Sequence, residues 1–143
     1  MKNIFIYILI LILSYFAEVS AKDNFFEEAK NLFERKKYEK SKFLFQRSIV
    51  FNPKHANSYL YLAKIFNIQE NENEELKNIN TTLLLDPNNE EALYMLIDIK
   101  LKRSNFSEVK ELQKRFNLAC STLCDKKQSI SERLDNIDIK DNS

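Results

Sequence analysis

The stretch SIVFNP at residues 48–53 recurs as TLLLDP at residues 82–87, so an apolar run ends each time in Asn-Pro or Asp-Pro. Pro53 and Pro87 are the only prolines of the chain and stand 34 residues apart. Proline cannot continue a helix and restricts the residue before it, so each stretch predicts the end of a helix. A fixed period of this length indicates a repeat architecture if the period recurs elsewhere in the chain.

The same period recurs when repeats are placed at residues 22–55, 56–89 and 90–123. Equivalent positions then carry mostly apolar side chains: Phe25, Tyr59 and Leu93; Ala29, Ala63 and Ile97; Leu32, Phe66 and Lys100; Phe45, Ile79 and Gln113. Within the second repeat, the segment 59–66 shows the i, i+3, i+4, i+7 spacing of an amphipathic helix. One helix pair cannot bury such a face alone, so we expect consecutive pairs to stack.

These features resemble the tetratricopeptide repeat family, most closely at residues 38–41 (YEKS) and 84–89 (LLDPNN). The resemblance implies an all-α fold, a right-handed solenoid of three antiparallel helix pairs. The sequence departs from the family pattern in places: Ser41 and Glu75 stand where alanine is usual, and Ser121 where a third proline would stand. The alternative is an ordinary helical bundle with an accidental period.

The chain ends in a further predicted helix. Ile130, Leu134 and Ile137 are spaced i, i+4, i+7 and form one apolar stripe. We expect residues 124–143 to form a capping helix, with its stripe on the third repeat, followed by a short tail. Such a cap with a polar outer face keeps the end of a solenoid soluble.

The first 21 residues predict a secretory signal peptide. Lys2 gives a positive start, residues 4–17 form an apolar run, and Val19-Ser20-Ala21 offers small residues at a cleavage site. As a helix the run measures about 21 Å, against the ~30 Å hydrocarbon core of a bilayer. We therefore predict export to the periplasm or cell envelope of a bacterium, with an AT-rich genome suggested by the residue usage. The alternative is an uncleaved membrane anchor.

Cys120 and Cys124 are the only cysteines, and an even count in an exported chain favours a disulfide. Cβ atoms four residues apart in a helix are ~5–6 Å distant, whereas a disulfide needs ~3.5–4.5 Å. The helix is therefore expected to end near Cys120, with residues 121–123 in a turn. Free thiols, a redox-active pair and a soft-metal site are the alternatives. The C-x3-C element also resembles a group of bacterial envelope tetratricopeptide proteins, although Leu123 replaces their glycine.

Composition excludes several functional classes. The 22 Lys+Arg and 21 Asp+Glu nearly cancel, so the chain lacks the cationic field of a nucleic-acid-binding protein. The absence of glycine excludes phosphate-binding loops of the Walker and GxGxxG types. A single histidine, His55, excludes His-rich zinc sites. A hydrolase that uses His55 as its base stays open, although His55 falls in a predicted turn.

The resemblance also implies which side chains line a concave groove. It places them at positions 2, 5, 9, 12 and 13 of each repeat: Asp23, Phe26, Lys30, Phe33 and Glu34; Asn57, Leu60, Lys64, Asn67 and Ile68; Glu91, Tyr94, Asp98, Leu101 and Lys102. The predicted partner-binding residues among them are Phe26, Lys30, Phe33, Leu60, Lys64, Asn67, Tyr94, Asp98 and Leu101. Helical geometry independently puts Phe26, Lys30 and Phe33 on one face. Alternatively, the apolar members pack inside the array.

Together these observations predict an exported scaffold or adaptor without enzymatic activity, which binds another protein or peptide. The groove lacks the paired basic residues with which chaperone-binding relatives hold an acidic terminus, so we expect a helix or extended segment with apolar anchors. No cofactor, metal ion, nucleic acid or small-molecule substrate is expected, and membrane contact only if the N-terminal segment stays uncleaved. The alternatives are a thiol–disulfide redox protein using Cys120 and Cys124, and a membrane-tethered envelope assembly factor.

Overall fold

The computed structural model describes the backbone of residues 24–141 and the side chains of residues 24–136. The predicted signal peptide, residue Asp23 and the side chain of Ile137 lie outside these ranges. The described chain is all-α and folds into seven helices: α1 (Asn24–Glu34), α2 (Tyr38–Phe51), α3 (Ala56–Ile68), α4 (Glu72–Leu85), α5 (Glu90–Lys102), α6 (Phe106–Ala119) and α7 (Lys126–Asp141). The predicted fold class is confirmed.

The helix bounds repeat with the period seen in the sequence. Helices α2, α4 and α6 begin at Tyr38, Glu72 and Phe106, each 34 residues after the one before. The main packing contacts join helices that follow one another along the chain. The short connections make α1/α2, α3/α4 and α5/α6 antiparallel pairs, and the pairs stack in sequence as a solenoid. Helix α7 packs on α6 at the end of the stack.

The apolar faces meet in two clusters. The first joins Ala29 and Phe45 of the first pair to Leu62 and Ile65 of α3. The second extends from α3 through α4, α5 and α6 into α7. The eighth position of each repeat, occupied by Ala29, Ala63 and Ile97, is fully buried as expected. Burying an aliphatic side chain stabilises a fold by about 1.5–3 kcal/mol, so the clusters are the main source of cohesion.

The third repeat carries polar side chains at two positions that are apolar in the other two repeats. Lys100 directs its amine to Glu108, 2.8 Å away, and Gln113 donates to Ser131 Oγ at 2.9 Å. Apolar Leu112 and Phe116 are buried at the positions that Asn78 and Thr82, also buried, hold in the second repeat. The expected apolar role of positions 100 and 113 is therefore replaced by polar contacts at the edge of the core.

Helix α7 covers the open end of the third pair. Ile130 and Leu134 are buried in the second cluster, as the apolar stripe predicts. On the flank of the helix, Arg133 Nη2 lies 2.9 Å from Asp98 Oδ1 of α5. The cap is thus tied to the array by packing and by an ion pair.

Small polar residues are buried inside the array. Ser41 is fully buried, and its hydroxyl donates to the backbone oxygen of Ala29 at 2.8 Å. Ser48 and Ser58, also buried, share a hydrogen bond of 3.0 Å between α2 and α3. A buried hydroxyl costs little when it is hydrogen-bonded, so Ser41 in place of alanine and the buried Ser48 and Ser58 are compatible with the fold.

The turn inside each helix pair places a non-glycine residue in the left-handed region. Lys36, Glu70 and Ser104 have φ values of 59°, 56° and 55° and recur with the 34-residue period. In the first turn, Lys36 N–H donates to Phe33 O and Lys37 N–H to Leu32 O, which is the Schellman pattern that ends a helix. Glycine adopts this conformation without steric cost, but the chain contains none.

This strain predicts that Glu70→Gly stabilises the protein. The left-handed conformation costs a residue with a Cβ atom about 1–2 kcal/mol, which glycine avoids. Glycine loses more conformational entropy on folding, and this loss cancels part of the gain. We expect the free energy of unfolding to rise by about 1 kcal/mol, measured by urea denaturation. Asn80→Gly, at an exposed position within α4, is the matched control and should lower it by about 0.3 kcal/mol. A Glu70→Gly protein no more stable than the wild type would contradict the argument.

Candidate functional site

A groove with a cavity volume of about 510 Å³ runs along the first helices of the repeats. Its residues come from α1, α3, α4 and α5, and its far end is closed by the loop before α7 and the start of that helix. The lining residues are Phe33, Lys64, Asn67, Ile68, Glu75, Glu91, Tyr94, Met95, Asp98, Leu123 and Lys126. Apolar and charged side chains therefore alternate around one concave surface.

Five of the nine predicted partner-binding residues line this cavity: Phe33, Lys64, Asn67, Tyr94 and Asp98. Phe26 and Lys30 are half-buried on α1 and do not line it. Leu60 and Leu101 are only 5% and 8% exposed and belong to the second core cluster. We therefore assign Leu60 and Leu101 to the core rather than the groove. Helices α3 and α5 contact neighbours on both sides, so their buried sector is wider than one stripe.

The aromatic residues of α1 pack within the first repeats. Phe26 contacts Phe45, Tyr61 and His55, with ring centroids 5.6, 5.7 and 4.5 Å away. Phe33 lies edge-on to Tyr61 at 5.2 Å while its outer side faces the groove. Burial raises the pKa of the Tyr61 hydroxyl, so this ring stays neutral at physiological pH. The cluster gives the groove a rigid wall.

Ion pairs fix most of the groove's charges. Lys64 Nζ lies 2.6 Å from Glu91 Oε1, and it also lies over the Tyr61 ring, 4.4 Å from its centroid. Asp98 receives both Lys102, at 2.8 Å, and Arg133, at 2.9 Å. These pairs join α3 to α5 and α5 to α7, so they set the positions of the groove walls relative to one another.

Glu75 is the exception among the groove's charges. It is only 5% exposed, and Asn67 Nδ2 donates to its Oε1 at 2.9 Å. Burial raises the pKa of Glu75, and the Asn67 hydrogen bond and the charge of Lys102 oppose that effect in part. The sequence showed Glu75 as a departure from alanine, but the resemblance assigned no groove role to α4. Met95, Leu123 and Lys126 were likewise not predicted.

The disulfide loop closes one end of the groove. Cys120 and Cys124 are bonded, with Cα atoms 5.3 Å apart, and α6 ends at Ala119 as the spacing requires. The Glu90 carboxylate accepts hydrogen bonds from the backbone N–H groups of Ser121 at 2.6 Å, Thr122 at 3.0 Å and Leu123 at 3.1 Å. Proline has no N–H to donate, so serine at position 121 permits this contact.

Glu90 also accepts a hydrogen bond from the Thr122 hydroxyl. That contact, together with the backbone donors of Ser121, Leu123 and Thr122, lowers the pKa of Glu90 to about 2. The ionised carboxylate therefore ties the loop to the first turn of α5. Because Leu123 lines the cavity, the same contact fixes the end wall of the groove.

The only histidine does not form a hydrolytic site. His55 Nδ1 lies 2.8 Å from Ser58 Oγ, but Ser58 is fully buried and also bonded to Ser48. A substrate cannot reach this hydroxyl, so the network joins helices. Within the described residues, no cluster of three or more His, Cys, Asp or Glu side chains could hold a metal ion. In residues 24–141, no helix has the length and apolarity to span a membrane.

Solved structures of tetratricopeptide proteins share this architecture. The Yersinia enterocolitica type III secretion chaperone SycD, crystallised with a peptide of the translocator YopD, gives a TM-score of 0.70 at 14% identity over 85% of this chain and 95% of that chain. The Sgt2 TPR domain from Aspergillus fumigatus gives 0.69 at 14% identity, covering 82% of each chain. The first TPR of Spaghetti (RPAP3), bound to the HSP90 peptide SRMEEVD, gives 0.65 at 13% identity over 77% and 92%. No family model and no curated protein sequence matches the chain. The fold is that of the tetratricopeptide repeat proteins.

The Glu90 contact predicts a pH-dependent stability. Its folded-state pKa of about 2 lies below the ordinary value of 4.5, so the unfolded chain takes up the proton first. The stabilisation is therefore present above pH 4.5 and is lost as the pH falls toward 2. Glu90→Gln should melt at a lower temperature than the wild type at pH 7, and the two melting curves should converge at pH 2, measured by circular dichroism.

Glu111→Gln serves as the control for this experiment, because Glu111 is exposed on α6 and pairs only with Lys114. The difference in melting temperature between Glu111→Gln and the wild type should stay the same from pH 7 to pH 2. A Glu90→Gln protein as stable as the wild type at pH 7 would mean that the carboxylate does not tie down the loop.

Proposed function

We propose that this protein is an exported scaffold of the bacterial cell envelope that binds a segment of another protein in its concave groove. The observation that carries the proposal is the 510 Å³ cavity, which presents apolar side chains between charges held in fixed positions. Binding sites in proteins are typically concave and largely apolar, with a few placed polar groups. Ion pairs between neighbouring helices mean that the groove is formed before a partner arrives.

The apolar part of the groove offers anchors for such a segment. Ile68 is 46% exposed at the end of α3, and Tyr94, Met95 and Leu123 are half-buried around the same cavity. Exposed apolar side chains gathered in a concavity are typical of docking sites. A helix or an extended segment could cover them with its own apolar residues.

Two of the similar structures support this use of the fold. SycD was crystallised with a peptide of YopD, and the first TPR of RPAP3 with an HSP90 peptide. At 14% and 13% identity, they support peptide binding as a mode of action and leave the partner of the present protein to experiment.

Ile68→Arg tests whether the groove binds protein segments. Random twelve-residue peptides displayed on phage are selected against the purified protein, and the affinity of the selected peptides is measured by isothermal titration calorimetry. Arginine at position 68 puts a charged side chain where the apolar residues of a partner are expected to pack, so Ile68→Arg should weaken binding by about tenfold or more. Its matched control is Leu84→Arg, which adds the same charge at a residue that is 81% exposed and does not line the cavity.

Peptides that bind the Leu84→Arg protein normally but the Ile68→Arg protein poorly support the proposal. Selection that yields no binders, or binders equally affected by both substitutions, would contradict it.

Export is supported by the sequence of residues 1–21 and by the disulfide, which suits an oxidising compartment. When the full chain is expressed in a bacterium, we expect the protein in the periplasmic fraction with Lys22 as its first residue. N-terminal sequencing measures this directly. A membrane-bound protein that begins at Met1 would contradict cleavage and favour the tethered assembly factor instead.

A further inference from the structure

The groove contains one buried carboxylate that forms no ion pair among the described residues, and Lys102, itself bound to Asp98, is the cation whose charge acts on it from farther away. Glu75 is 5% exposed and lines the cavity, and the hydrogen bond from Asn67 occupies only one of its oxygens. Every fully shielded side-chain oxygen or nitrogen in the described part of the chain has a hydrogen-bond partner. The second oxygen of Glu75 has no hydrogen-bond partner, so it must be in contact with solvent. Because Glu75 lines the cavity, we infer that this contact is made there.

Among the described residues, no lysine forms an ion pair with Glu75, although the charge of Lys102 acts on it. The lysines at or near the groove are each paired with another carboxylate: Lys64 with Glu91, Lys102 with Asp98, and Lys126 with Asp125. A carboxylate that is this buried and has no ion-pair partner is more costly to keep charged in the free protein than one that is paired directly. Ionisable side chains that are costly to keep charged in the free protein and that lie in a cleft are candidates for contacts with a ligand.

We propose that the groove recognises a protein segment that carries a lysine or arginine between apolar residues, and that this basic side chain pairs with Glu75. The inference rests on the proposed function, because it names the chemistry of the partner for the same groove. Charge complementarity favours a basic side chain, since the bound cation would supply the donor that Glu75 lacks. The apolar walls at Ile68, Tyr94 and Met95 suit its methylene stem and its apolar neighbours.

A role in binding and a role in folding make opposite predictions for Glu75→Gln. Glutamine keeps the size of the side chain and can still accept a hydrogen bond from Asn67, but it removes the buried charge. If Glu75 serves binding, the free Glu75→Gln protein should melt at the same temperature as the wild type or higher. If Glu75 were a structural residue that needs its charge, the variant should melt lower.

The test uses the phage-displayed twelve-residue peptides selected on the wild-type protein. We expect the selected peptides to share a lysine or arginine at one position. Their affinity should fall about tenfold or more on Glu75→Gln, and equally when norleucine replaces the lysine of the peptide. The two changes together should cost no more than one of them, since they remove the same contact. Glu74→Gln, on the same helix and paired with exposed Lys77, is the matched control and should leave the affinity unchanged.

The outcomes separate this inference from the proposed function. Peptides that are sensitive to Ile68→Arg but carry no shared basic residue, or that bind Glu75→Gln as well as the wild type, would overturn the role of Glu75 while the groove stays a binding site. If no selected peptide is sensitive to Ile68→Arg, both the groove function and this inference fall.

Discussion

The structure depends on one constraint: a single helix pair cannot bury its own apolar face. Helix α3 has buried residues toward both the first and the third pair, and α5 is buried even more extensively, whereas α1 buries only Ala29 completely. Each pair therefore covers its neighbour, and the last one needs α7 as a cover. Stacking the first helices side by side creates the concave surface, so the groove follows from the way the core is buried.

Much of this architecture could be predicted from the sequence. The 34-residue period is visible at residues that end a helix or let two helices approach closely, which every such helix pair requires. Pro53 and Pro87 mark helix ends, and Ala29, Ala63 and Ile97 mark where helices approach most closely. The groove was harder to predict. Leu60 and Leu101 occupy groove positions in the pattern, but neighbouring helices on both sides bury them. The burial of Glu75 depends on Asn67 of another helix and on the shape of a cavity, neither of which is local in sequence.

The loop closed by the Cys120–Cys124 disulfide forms one end of the groove. Its three consecutive N–H groups hold Glu90, and its Leu123 forms part of the cavity wall. The loop replaces the proline that ends the earlier repeats, so the last repeat is closed by a disulfide and a carboxylate instead. The disulfide holds this end of the groove in place without a large core. The contacts that hold the loop therefore also fix the shape of the groove at this end.

The stacking of the helix pairs is tested most directly by amide hydrogen exchange of the full chain, followed residue by residue by NMR. In an array whose pairs stabilise one another, the slowest amides should lie in α3, α4 and α5, which are contacted on both sides, while α1 and α7 exchange sooner. Slowest exchange in α1 or α7, with α3 to α5 opening first, would contradict the account.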